Sequence, residues 1–145
     1  MSLLILTVLV AILGGIIVSI QAPLVGILNQ RLSTLESVFI TYFGGGMLAL
    51  VLLLANGGGN WANWRSIPWY GLLAGPLGLV IIGALSYTTP RLGVAATMAT
   101  FMAAQLIAAA WVDHFGYLGV AVRPLDLSRV IGMMVLFVGA WLIVR

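Results

Sequence analysis

Five stretches of this chain, residues 3–20, 38–55, 68–87, 93–111 and 130–144, are almost continuously apolar, and none holds an acidic side chain well inside it. Covering a hydrocarbon core of ~30 Å takes about 20 mostly apolar residues at the helical rise. The segments between the stretches are too short for a soluble domain. Unbroken apolar runs also exclude a transmembrane barrel, whose strands alternate apolar and polar residues. The expected fold is an all-α integral membrane protein with five transmembrane helices, roughly 3–21, 34–55, 68–88, 91–111 and 128–144. Together they form a single membrane domain over residues 1–145.

Composition points the same way: 63% of the residues are hydrophobic and 6% charged, where a soluble domain carries about 25% charged residues. The formal charge of +3 comes from scattered single arginines. No basic stripe tracks a phosphate backbone, so nucleic acid is not an expected partner. The absence of cysteine removes disulfides, thiolate catalysis and thiolate metal sites together. The first span lacks a basic n-region and a small-x-small cleavage site, so it is read as a retained helix.

Local signals mark where the helices begin, bend and pack. Pro23 lies near the end of the first span, where the helix either continues bent to about Asn29 or breaks. Ser33-Thr34-Leu35-Glu36 has the Ser-x-x-Glu form of a capping box opening the second helix. Asn56-Gly57-Gly58-Gly59-Asn60 is a flexible loop, and Trp61, Trp64, Trp69 and Tyr70 form an interfacial aromatic belt. Pro68 suits the first turn of the third helix, and Pro90-Arg91-Leu92-Gly93 reads as a tight turn into the fourth. The linker 113–127 is apolar enough to lie along the interface. Asp126 or Ser128 can cap the fifth helix. Gly14, Gly15, Gly44, Gly45, Gly46, Gly71, Gly75, Gly132 and Gly139 are read as helix-packing positions, since small residues let membrane helices approach closely.

The arginines do not tell one side of the membrane from the other. Arg65, Arg123 and Arg129 fall on the side of the N-terminus; Arg31, Arg91 and Arg145 fall on the opposite side. The positive-inside rule acts through an excess, and here there is none. Either a few dominant arginines fix one orientation, or the chain inserts both ways up. An odd number of helices suits the second reading. A five-helix unit and its inverted copy would make a ten-helix bundle with a site at the midplane, the logic of inverted-repeat transporters.

From Pro68-Trp69-Tyr70-Gly71 onward the residues resemble a known family. The carrying positions are Gly75 and Gly78, Pro90-Arg91-Leu92-Gly93 with Ala95-Ala96-Thr97, Gln105, Asp113-His114-Phe115-Gly116, Arg123-Pro124-Leu125, Gly132 and Gly139. Gln21-Ala22-Pro23, Asn29-Gln30-Arg31-Leu32 and Phe43-Gly44-Gly45-Gly46 fit upstream. The chain resembles the YdcZ-type family, small five-helix members of the drug/metabolite transporter superfamily. That resemblance implies a small-molecule transporter built from two five-helix units of opposite orientation: a homodimer, a pair of sister chains or a fusion. It implies no particular substrate.

No ionisable group sits near the middle of any span, which argues against a coupling carboxylate. The substrate-binding candidates are neutral: Gln105 midway along the fourth helix, Thr97 and Phe101 on its face, and Gln21, Asn29, Tyr42 and Ser86. An unpaired amide in lipid costs several kcal/mol, so Gln105 faces a partner helix or a wet cavity. The charged interface candidates are Arg91, Glu36, Asp113 and Arg123. Glu36 is read first as the capping partner of Ser33. Arg91, placed at a helix start, is either a lipid-phosphate anchor or an anion ligand. Asp113 is read as paired with Arg123, and a lone His114 is a weak metal signal.

No nucleophile–base pair, metal cluster or phosphate loop is present, so neither an enzyme nor a cofactor or metal is expected. The expectation is an inner-membrane transporter of a small metabolite or drug-like solute. It would work as an antiparallel homodimer, by alternating access at the dimer interface. Its partners are then the bilayer, the solute and a second copy. A dual-topology ion channel and a non-transporting assembly factor remain as rivals.

Overall fold

In a computed structural model, the structure describes residues 2–59 and 65–145, and among these there is helix and no strand. Five α-helices follow one another: α1 (Ser2–Arg31), α2 (Thr34–Ala55), α3 (Ala74–Leu92), α4 (Val94–Phe115) and α5 (Leu127–Val144). A 3-10 turn, Trp69–Leu73, leads into α3, and a shorter one, Tyr117–Gly119, follows α4. All five helices are long and apolar enough to cross a membrane. Their outward faces are leucine, isoleucine, valine and phenylalanine, as expected where lipid is the solvent. Trp61 and Trp64 of the expected belt lie outside the described residues; Trp69 and Tyr70 form an edge-on pair, with centroids 6.1 Å apart.

The chain divides into two compact units, Met1–Arg91 and Leu92–Arg145. In the first, α1 runs through Pro23 without a break and reaches Arg31. A short turn then opens α2 with the expected capping box: the Glu36 N–H donates to Ser33 Oγ (3.3 Å), and the Ser33 N–H donates to Glu36 Oε2 (2.8 Å). The Asn29 amide donates to Thr34 Oγ1 at 2.7 Å, tying the end of α1 to the start of α2. At its far end α2 closes through Asn56, whose Nδ2 donates to the Leu52 carbonyl (2.8 Å). The chain leaves through Gly57 and Gly58, both at left-handed φ (+83° and +81°) that a side chain would resist.

The boundary between the third and fourth helices differs from the expected one. Pro90 does not start a turn: it lies inside α3, which continues to Leu92. A proline in the last turn forfeits one backbone bond, to the carbonyl four residues back, and leaves the rest of the helix intact. The break falls instead at Gly93, with φ +82° and ψ 163°. Arg91 therefore sits at a helix C-terminus, where a cation is favoured, and not at a helix start. Pro68 is extended and precedes the 3-10 turn, so regular α-helix starts at Ala74, later than expected.

Three glycines bring the first-unit helices together. A Cβ on Gly26 of α1 would lie 3.4 Å from Pro90 Cγ and 3.5 Å from Thr89 Cγ2 of α3. One on Gly83 would lie 3.6 Å from Val38 Cγ2 of α2, and one on Gly78 would collide with the Tyr42 hydroxyl. Ala22, Val25, Val38, Ile82 and Leu85 form the buried apolar centre of this unit.

The second unit is the α4–α5 hairpin. Its linker folds back on the end of α4: the Arg123 N–H donates to the Asp113 carbonyl (2.8 Å), and the Leu125 N–H donates to His114 Nδ1 (3.1 Å). Asp126 caps α5, accepting from the Arg129 N–H (2.8 Å) and the Ser128 hydroxyl (2.9 Å). The acid of Asp113 faces Arg129, at 4.0 Å, and not Arg123 as expected. Arg123 meets Asp113 through its backbone, because the returning linker brings main chain to main chain.

Candidate functional site

A cavity in which neutral polar side chains converge lies in the first unit, among α1, α2 and α3. Its volume is about 520 Å³, and it is lined by Gln21, Thr41, Tyr42, Gly45, Gly46, Ala49 and Ile82. Gln21 comes from α1, two residues before Pro23. Thr41, Tyr42, Gly45 and Gly46 recur at three- and four-residue steps on α2, which places them on one face. Ile82 closes the floor from α3.

The chemistry of the lining is neutral. Thr41 Oγ1 is already engaged, donating to the Ser37 carbonyl at 2.8 Å. No hydrogen bond within the described residues occupies the Gln21 amide or the Tyr42 hydroxyl, so both are free for a ligand. The mouth stays open because Gly45 and Gly46 carry no side chain; a Cβ at either would meet nothing within 4 Å. An apolar pocket with one amide and one phenol suits a small, uncharged or amphipathic molecule.

The other sequence candidates lie elsewhere. Asn29 is committed to Thr34. Ser86 is buried on α3, and its hydroxyl has no hydrogen-bond partner. Thr97, Phe101 and Gln105 belong to α4, in the second unit. There Thr97 is buried with an unpartnered hydroxyl, Phe101 is half-buried and Gln105 is exposed. Glu36 is held in its capping box. Arg91 donates from Nη1 to the Tyr87 carbonyl. Among the described residues no His, Asp or Glu cluster could hold a metal.

Thr41 and Ile82 escaped the sequence reading as site residues. Thr41 precedes Tyr42 and sits one turn from Gly45, a spacing that could have flagged it. Ile82 carries no signal in an apolar helix. Of the expected packing glycines, Gly14, Gly15, Gly44, Gly75, Gly132 and Gly139 also present open faces, with nothing within 4 Å of a built Cβ. Gly71 approaches Ile67 Cγ2 at 3.3 Å.

The five spans fit what the comparisons with known proteins return. A family model described as "Putative inner membrane exporter, YdcZ" matches residues 6–142. The chain belongs to the YdcZ family. The inner membrane protein YdcZ of Escherichia coli K12 is 31% identical over 119 residues, covering 82% of this chain and 72% of that relative. No solved structure matches. The YdcZ resemblance seen in the sequence is thereby established, and with five apolar spans the chain is a multi-pass protein of the inner membrane.

Proposed function

We propose that this protein exports a small, uncharged or amphipathic organic solute, and that the cavity among α1, α2 and α3 is where the solute binds. One observation carries the reading: Gln21 and Tyr42 offer an unengaged amide and phenol to a pocket kept open by Gly45 and Gly46. The family description supports the direction of transport. With no carboxylate or basic side chain in the lining, solute is recognised by hydrogen bonds and apolar contact alone.

The working unit is an antiparallel homodimer operating by alternating access. The arginines split evenly between the two sides, and the open glycine faces at Gly14, Gly15 and Gly44 suit close approach of a second copy. Two inverted units would place related cavities about a two-fold axis in the membrane plane.

The test is solute efflux from proteoliposomes across a panel of neutral, amphipathic and charged compounds. Gly45→Leu, which fills the cavity mouth, should abolish efflux while leaving the folded protein intact. Efflux equal to wild type in that variant would move the site elsewhere. A reporter at either terminus alone should be found on both sides of the membrane; confinement of each terminus to one side would exclude the antiparallel unit.

A further inference from the structure

Two hydroxyls in the first unit are buried without a hydrogen-bond partner: Ser86 Oγ and Thr89 Oγ1, in residues that are 0% and 5% exposed. They lie three residues apart in the last turns of α3, on the face shared with buried Ile82 and Leu85. Thr88, on the next face, behaves in the ordinary way for a helix and donates to the carbonyl of Ala84, four residues back (2.7 Å). Ser86 and Thr89 do not.

A third oxygen belongs to the same turn. Pro90 has no N–H, so the Ser86 carbonyl loses the helical donor it would otherwise have. The α1 backbone at Gly26 rests against Thr89 Cγ2 and the Pro90 ring, which holds the Thr89 methyl toward α1. Two hydroxyl oxygens and one released carbonyl thus belong to the last turns of α3, near the negative end of its dipole, with the two hydroxyls three residues apart on one face. Arg91 is engaged at the adjacent carbonyl, donating from Nη1 to that of Tyr87. It lies over Tyr87, and these residues are about 140° and 100° round the helix from Ser86.

We propose that Ser86, Thr89 and the Ser86 carbonyl form a binding site for an alkali cation. Lone-pair oxygens at a helix C-terminus, without a carboxylate, suit a hard monovalent ion better than a divalent one, which would call for anionic ligands. Bare buried hydroxyls cost free energy that a coordinated ion recovers. In an exporter whose spans hold no central carboxylate, such an ion supplies the coupling that a proton-binding acid would otherwise provide. That last step rests on the transport reading; the binding site itself does not.

The experiment uses the full chain in detergent, melted in sodium chloride, potassium chloride and choline chloride at equal ionic strength. A saturable rise of about 3 °C with sodium or potassium over choline is expected, as for any ligand that binds only the folded state. The rise should vanish in Ser86→Ala/Thr89→Val. It should need about tenfold more salt in Pro90→Ala, which returns an N–H to the Ser86 carbonyl. Equal melting in all three salts, or an unchanged rise in either folded variant, overturns the site and leaves the hydroxyls to water. Because no solute is present, a failed efflux assay would not bear on this result.

Discussion

The guanidinium of Arg91 lies over the Tyr87 ring, 3.7 Å from its centroid, and its Nη1 donates to the Tyr87 carbonyl at 2.6 Å. One side chain thus stacks on the ring one turn back and caps the carbonyl of the same residue. It closes α3 just where Pro90 has weakened the hydrogen-bond ladder.

Arg91→Gln should therefore lower the melting temperature in detergent, by an amount corresponding to about 1 kcal/mol. Tyr87→Leu should lose only the stacking part, about half as much. The double variant should fall short of the sum, since the two residues act through one contact. Additive losses would mean that the arginine acts on the helix end alone.

Ser33 and Glu36 form a reciprocal pair at the start of α2, each satisfying the other's backbone N–H. Ser33→Ala should destabilise the folded protein by about 1 kcal/mol, read by thermal or denaturant melting. Glu36→Gln keeps the acceptor oxygen and should leave solute efflux unchanged across pH. A proton-coupling acid would lose its pH dependence in that variant, so the efflux profile separates the two roles.

Asp126 provides the acid sensitivity of the α4–α5 hairpin. The Arg129 N–H, and after it the Ser128 hydroxyl, hold its carboxyl below the ordinary carboxylate value. A group whose pKa is lowered by folding stabilises the fold fully above its unfolded value and loses that contribution as pH falls through the folded one. The start of α5 should thus be protected at neutral pH and exchange faster only in acid, below the ordinary carboxylate range. Amide hydrogen exchange at Leu127–Val130 measures this. In Asp126→Ala the same amides should exchange quickly at every pH, and the acid step should disappear.

The spans were legible because apolar composition alone decides them in lipid, and the capping box because its two partners are three residues apart. Asp126 was legible as a cap for the same reason. Pro90 was misread because proline usually marks a helix end, whereas in the last turn of α3 it removes one bond and Gly93 makes the break. Among the described residues, the glycines in close contact between helices are Gly26, Gly78 and Gly83, isolated in their runs. The sequence pointed to the runs Gly14-Gly15 and Gly44–Gly46 and to the spaced Gly71, Gly75, Gly132 and Gly139, but which glycine meets a neighbour depends on where helices cross. Gln21 and Tyr42 stood out as polar groups in apolar spans. Their convergence with Thr41 and Ile82 is tertiary, and no local spacing encodes it.

Gly78 sets the position of Tyr42, and through it the shape of the cavity. A methyl group on Gly78 would occupy the space of the Tyr42 hydroxyl. The ring must then swing away, and its free side is the cavity that Gly45 and Gly46 leave open. Overpacking of this kind costs about 1–3 kcal/mol when neighbours cannot move. Here the clash is with the far end of a side chain, so Gly78→Ala should stay folded with a small loss of melting temperature. Its efflux should fall far more than its stability, because the displaced ring fills the proposed binding volume. Tyr42→Phe removes the clashing oxygen together with one ligand group. Adding it to Gly78→Ala should restore the melting temperature, while efflux recovers only to the level of Tyr42→Phe alone. If Gly78→Ala transports like wild type while Tyr42→Phe does not, the phenol acts from some other place than this cavity.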